Sequence, residues 1–151
     1  MTLKIETIPA CKIAYIRQIG PYGVLNKQAM KQMKEFARAN ALFMEESILL
    51  GIAQDNPVAT KPEDCRYDAC LVISEDYCVN DNHVNSGELT GGKYAVFTIA
   101  HTAQAVQKAW CDIFPELQKQ GYRLNDTKPI IERYAVKMVH NHTCELCVPV
   151  Y

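Results

Sequence analysis

The run Lys12-Ile13-Ala14-Tyr15-Ile16-Arg17-Gln18-Ile19-Gly20-Pro21 holds the key to the fold, because the periodicity changes on either side of its last two residues. Up to Ile19 it is rich in β-branched and aromatic strand formers, and Gly20-Pro21 is a turn signal. From about residue 22 to 40 the period becomes helical. Leu25, Ala29, Met33 and Phe36/Ala37 recur on one face, and Lys27, Lys31, Lys34 and Arg38 take the others. This is an amphipathic helix with Pro21 at its entry, where a missing amide costs little. Residues 47–53, Ser-Ile-Leu-Leu-Gly-Ile-Ala, predict a short apolar strand stopped by Asp55-Asn56-Pro57. A polar loop runs to about Asp64, and Tyr67 to Ser74 reads as the next strand.

A second unit of the same order follows. Residues 75–90 are polar and irregular, and about 77–90 is expected to be a linker. Gly91-Gly92-Lys93-Tyr94-Ala95-Val96-Phe97-Thr98-Ile99-Ala100 is a strand, and the Thr102 hydroxyl suits the cap of a helix whose apolar stripe is Val106, Ala109/Trp110, Ile113 and Leu117. Pro115 is expected to bend or break this helix near its end, and Gly121 to provide a left-handed exit. Pro129–Val136 and Cys144–Val150 complete the pattern. The expected fold is α+β, one domain over 1–151. It is built from two β-α-β-β half-domains (about 1–76 and 91–151) related by a pseudo-twofold, with a ligand groove between them. Whether the strands are antiparallel or mixed stays open.

Composition narrows the function classes. At 151 residues, 48% hydrophobic and 22% charged, the chain has the profile of a globular domain able to build a core without disulfides or metal. A net charge of −1 offers no basic excess for phosphate backbones. Lys4, Glu6 and Lys12 interrupt the N-terminal stretch, no run approaches the length of a bilayer span, and a cytoplasmic location without membrane contact is expected. Seven cysteines, an odd number, read as reduced thiols.

The chemistry concentrates in Ile130-Ile131-Glu132-Arg133-Tyr134-Ala135-Val136. Strand alternation places Ile130, Glu132, Tyr134 and Val136 on one side. By residues alone Glu132 either faces solvent or a neighbouring cation, or is a carboxylate held among apolar groups, where its pKa rises or it waits for a cationic or donor ligand. Eight tyrosines, four phenylalanines and one tryptophan supply rings for either a core or a pocket for flat or cationic molecules. Arg66 and Asp68 share a strand face and are expected to interact there. His140-Asn141-His142-Thr143-Cys144-Glu145-Leu146-Cys147 contains four possible zinc ligands, two His and two Cys, but a continuous strand turns Cys144 and Cys147 to opposite faces, so no metal site is expected. There is no phosphate loop, no Gly-x-Ser-x-Gly elbow and no His-Glu-x-x-His, and Cys65, Cys70 and Cys111 lack the surroundings of a nucleophile. No cofactor is expected.

Several pieces taken in order resemble a known family: Gly20-Pro21-Tyr22, Gly51 with Asp55-Asn56-Pro57, Cys65-Arg66-Tyr67-Asp68-Ala69-Cys70, Gly91 to Phe97, Ala109-Trp110, Gly121-Tyr122, Pro129 with Glu132-Arg133-Tyr134, and Glu145 to Val150. Together they resemble the GyrI-like small-molecule-binding domain, which also forms the effector-binding part of AraC-type and MerR-type multidrug regulators. The resemblance implies a groove in which Glu132 meets small amphipathic or cationic hydrophobic ligands, with Tyr134 and Trp110 beside it. Tyr15, Tyr22, Tyr67, Tyr94 and Phe97 are candidate lining residues by element placement. It also implies a free-standing form without a DNA-binding module, hence no direct DNA contact. Two alternatives follow from the same resemblance. One is a hydrolase of reactive cyclopropane-containing compounds, using Glu132 and Tyr134. The other is a partner of DNA gyrase.

Overall fold

In the computed structural model, which describes residues 2–151, eight strands form one sheet. The elements are β1 (Leu3–Ile8), β2 (Cys11–Ile19), α1 (Val24–Ala39), β3 (Ile48–Ala53), β4 (Arg66–Ile73), β5 (Asn85–Leu89), β6 (Gly92–Ala100), α2 (Ala103–Lys119), β7 (Ile131–Ala135), α3 (Val136–His140) and β8 (Thr143–Pro149), with one 3-10 turn at Pro62–Asp64. The strand order is β1-β6-β8-β7-β3-β4-β2-β5, and every pairing is antiparallel. The class is therefore mixed α+β, as expected.

The sheet is covered on both faces. On one, α1 lays Ala29, Met33, Phe36 and Ala37 over Leu49, Tyr67, Ala69 and Leu71. Beside it α2 lays Ala109, Ile113 and Leu117 over Phe97, Leu146 and Val148. On the other face Ile8 and Tyr94, near one end of the sheet, share a cluster with Ile13 and Leu89 at the other end. The sheet must curl for these to meet, and its inner face packs largely on itself. Each fully buried Leu, Ile or Phe in such a core stabilises by roughly 1.5–3 kcal/mol.

Local chemistry explains the helix ends. Gly23, at φ 135°, is the N-cap of α1, so the helix begins at Val24 and not directly after Pro21. The intervening Tyr22 is a clasp: its hydroxyl donates to the Arg66 carbonyl at 2.8 Å and accepts from the Asp55 amide at 3.1 Å. Thr102 caps α2 by accepting from the Ala105 amide at 3.1 Å. Pro115 lies inside α2 without ending it, since the helix runs on to Lys119 and the ring is on an exposed face. Gly121 takes the left-handed conformation, φ 81°.

Three expectations are corrected and one strand is added. The region read as irregular contains β5, a polar edge strand held by its ladder to β2. Residues 3–8, not singled out above, form β1 against β6. The last expected strand residue, Val136, instead opens the short helix α3. Arg66 and Asp68 do not pair with each other. Arg66 binds Asp55 through two contacts of 2.8 and 3.0 Å, and Arg17 binds Asp68 at 2.8 and 2.9 Å. The two side chains do share a face of β4, but each has a nearer partner of opposite charge, Asp55 for Arg66 and Arg17 for Asp68.

Candidate functional site

Between α1 and α2, on the outer face of the curled sheet, lies a groove of about 710 Å³. That volume is within the ordinary range for small-molecule sites. Its floor is the centre of the sheet, where β3 and β7 pair with Gly51 opposite Glu132 and Leu49 opposite Tyr134. Glu132, Tyr134 and Tyr67 line it, with Met30 and Phe43 from the α1 side and Val106 from α2. The α3 turn supplies Val136 and Val139 to its end.

Alternation along β7 divides two neighbouring charges. Arg133 points to the inner face, where its Nε donates to Glu145 at 2.8 Å and its two terminal nitrogens to Glu6 at 2.8 and 3.1 Å. Burial works against the Arg133 charge, but the hydrogen bonds to Glu6 and Glu145 outweigh it and its pKa goes up. Glu132 points to the groove and has no ion-pair partner among the described residues. Its hydrogen-bond donor is Trp110, whose Nε1 reaches Oε2 at 3.1 Å. Burial pushes the Glu132 carboxyl above its ordinary 4.5, against the lowering effect of Trp110 and Tyr134.

The surrounding groups are suited to donate protons in hydrogen bonds, not to ionise. Burial, and then the Glu132 charge, hold the Tyr67 and Tyr134 phenols well above their usual range. His101 meets Tyr134 edge to face at 5.6 Å between ring centres, and burial followed by the Lys34 charge lowers its pKa. Gly51 makes the arrangement sterically possible. A Cβ there would collide with the Tyr67 hydroxyl and come within 3.0 Å of Glu132 Oε1. Sequence reading did not single out Gly51 as a site residue, although a glycine inside an apolar strand is a signal of close approach.

The other candidate rings lie elsewhere. Trp110 stands behind Glu132 and orients it without lining the groove. Tyr94 is buried in the inner core and Phe97 under α2. Tyr15 packs at the edge of the inner cluster with Arg17 over its ring, and Tyr22 is the clasp described above. No group of three or more metal-ligating side chains occurs among the described residues, and Cys144 and Cys147 alternate across β8. Among those residues no helix is long and apolar enough to cross a membrane.

A groove of this size on a curled antiparallel sheet, with an uncompensated carboxylate at its centre, coincides with a family match over residues 1–151 to the GyrI-like small molecule binding domain. The chain belongs to that family. The chain is 44% identical over 151 residues, 99% of each chain, to the Bacillus subtilis (strain 168) protein named "SPbeta prophage-derived putative transcriptional regulator YosT". It is 26% identical over 125 residues to DNA gyrase inhibitor 2 of Dickeya dadantii, covering 82% of this chain and 78% of that one. In fold this GyrI-like domain is similar to the EcmrR C-terminal domain, with a TM-score of 0.74 at 15% identity over 99% of this chain and 97% of the other. GyrI-like relatives thus carry the names of transcriptional regulators and of gyrase inhibitors.

Proposed function

We propose that this GyrI-like domain binds small amphipathic molecules in the groove between α1 and α2, sensing or sequestering them, with Glu132 meeting a cationic or hydrogen-bond-donating group. The reading rests on one observation. Glu132 is a partly enclosed carboxylate with neutral donors only, Trp110 and Tyr134, while its neighbour Arg133 is paired with Glu6 and Glu145. An enclosed charge left without a partner costs stability unless something fills the place. The rings of Tyr67 and Tyr134 offer contact area and cation–π attraction to an incoming group. The cytoplasm, where seven unpaired thiols persist, is the expected compartment.

The same reading treats β2-α1-β3-β4 and β6-α2-β7-β8 as two copies of one unit. In both, the sheet sets the last strand between the other two, and β3 and β7 meet at the centre. The test is a calorimetric titration with 1-naphthylmethylamine, a flat cation, and 1-naphthalenemethanol, its neutral counterpart. The intact domain should prefer the amine by about tenfold, and Glu132→Gln should erase the preference. A preference unchanged by the substitution would remove Glu132 from the reading.

A second reading, hydrolysis, draws on the same cluster. A carboxylate with a raised pKa can activate water, and the Tyr134 hydroxyl can hydrogen-bond to a developing negative charge on the leaving group. Incubation with a cyclopropane-containing electrophile and mass spectrometry for the ring-opened, hydrated product decides it. Stoichiometric binding without product would leave the binding reading alone.

A further inference from the structure

The two helices that wall the groove place their charges in opposite ways. All five charged side chains of α1, Lys27, Lys31, Lys34, Glu35 and Arg38, line the groove. Gln28 and Gln32, exposed on the same helix outside the groove, are uncharged. On α2 the arrangement is reversed. Lys108, Asp112, Glu116 and Lys119 all lie outside the groove, and the lining residues Thr102, Ala103, Val106 and Gln107 at its start are neutral. A charged helix face ordinarily serves solvation, and then the charges point to open water. On α1 the charges reach solvent, Lys34 only partly, yet all of them stand along the rim and wall of the cavity.

The four basic groups are also unspent. None of Lys27, Lys31, Lys34 and Arg38 has an ion-pair partner among the described residues, and Glu35 reaches none of them within pairing distance. Arg38 instead lies over the Phe43 ring at 4.6 Å. Like charges at this helical spacing repel one another, so an anion beside them relieves a cost already present in the folded chain. The groove also holds His101 and His140, the second engaged by Glu45 at 3.1 Å. The chain as a whole carries a net charge of −1, so this wall is basic against the overall balance.

We infer that the natural ligand carries an anionic group, a carboxylate, sulfonate or phosphate, which lies along the α1 wall at Lys27, Lys31, Lys34 and Arg38 while its apolar body enters toward Tyr67 and Tyr134. The inference rests on the groove being a ligand site. Joined to the role of Glu132, it describes a dipolar amphiphile, anionic at the outer end and donor or cationic at the inner.

The experiment compares two fluorescent probes of one shape on the full chain: 8-anilinonaphthalene-1-sulfonate and N-phenyl-1-naphthylamine, which lacks the sulfonate. At low salt the sulfonate should bind about tenfold tighter, and added potassium chloride should shrink the ratio. Lys31→Gln/Lys34→Gln should bring the sulfonate close to the neutral probe while leaving the neutral probe's affinity intact. Lys108→Gln/Lys119→Gln, outside the groove, should leave the ratio alone, and circular dichroism should show both double variants folded. Equal binding of the two probes, or a ratio that survives Lys31→Gln/Lys34→Gln, would overturn the anionic end while the Glu132 reading stands on its own titration. Failure of every probe, the naphthyl pair included, would overturn the groove as a site.

Discussion

Glu132 and Arg133 are adjacent on β7, yet the two faces of the sheet treat their charges in opposite ways. On the inner face Arg133 is held by Glu6 and Glu145, so β1, β7 and β8 are tied by one guanidinium. On the outer face Glu132 faces the groove with neutral donors, Trp110 and Tyr134, and no cation within ion-pairing distance among the described residues. Charges kept for architecture are paired within the chain, and a charge left unpaired beside a cavity marks where the chain expects a partner.

The comparison can be broken most forcefully at Arg133. Arg133→Met leaves the buried Glu145 carboxylate with only the exposed Lys4 ammonium at 3.8 Å and should cost about 3–5 kcal/mol in urea unfolding. A loss under 1 kcal/mol would mean that the inner network is dispensable. Gly51→Ala is the next largest. The new methyl meets the Tyr67 hydroxyl and Glu132, so a loss of about 1–3 kcal/mol together with weakened amine binding is expected in parallel melts and titrations.

Glu132→Gln sharpens the contrast by changing sign. The folded-state pKa of Glu132 is raised above its ordinary 4.5, so the native state favours the protonated form. Its stabilising share is complete below that ordinary value and is lost as pH rises through the folded value. Glu132→Gln should therefore raise Tm by about 2–4 °C at pH 7, an advantage that fades as pH falls through the raised folded value and is gone below 4.5. An advantage independent of pH would point to packing and not to charge. The smallest effect belongs to Trp110→Phe. Removing the indole donor takes away a lowering influence, so the Glu132 titration followed by side-chain carbon NMR should move further up.

The α+β class and the apolar faces of the two long helices were legible because periodicity survives without coordinates, whereas the residues alone left Glu132 open between solvent and cavity and only the family resemblance turned it toward a groove. The sequence could not tell which rings border the groove. Both faces of the sheet are covered, so alternation along β6 sends Tyr94 to the inner core and Phe97 under α2 with no polar face to distinguish them. The edge strand β5, Asn-Ser-Gly-Glu-Leu, has weak strand propensity and owes its form to the β2 ladder, a long-range effect. The basic wall of α1 was visible as four positions on a helix, but only the cavity beside them distinguishes it from a solvated face.

The most direct test follows the proton. If a cationic amphiphile seats on Glu132, binding must stabilise the ionised carboxylate and release a proton wherever the free group is protonated. Titration of 1-naphthylmethylamine in two buffers of different ionisation enthalpy, over a pH series rising from 4.5, should show proton release from the intact chain and none from Glu132→Gln. Binding with no proton release at any pH, or with the same release from Glu132→Gln, would contradict the account.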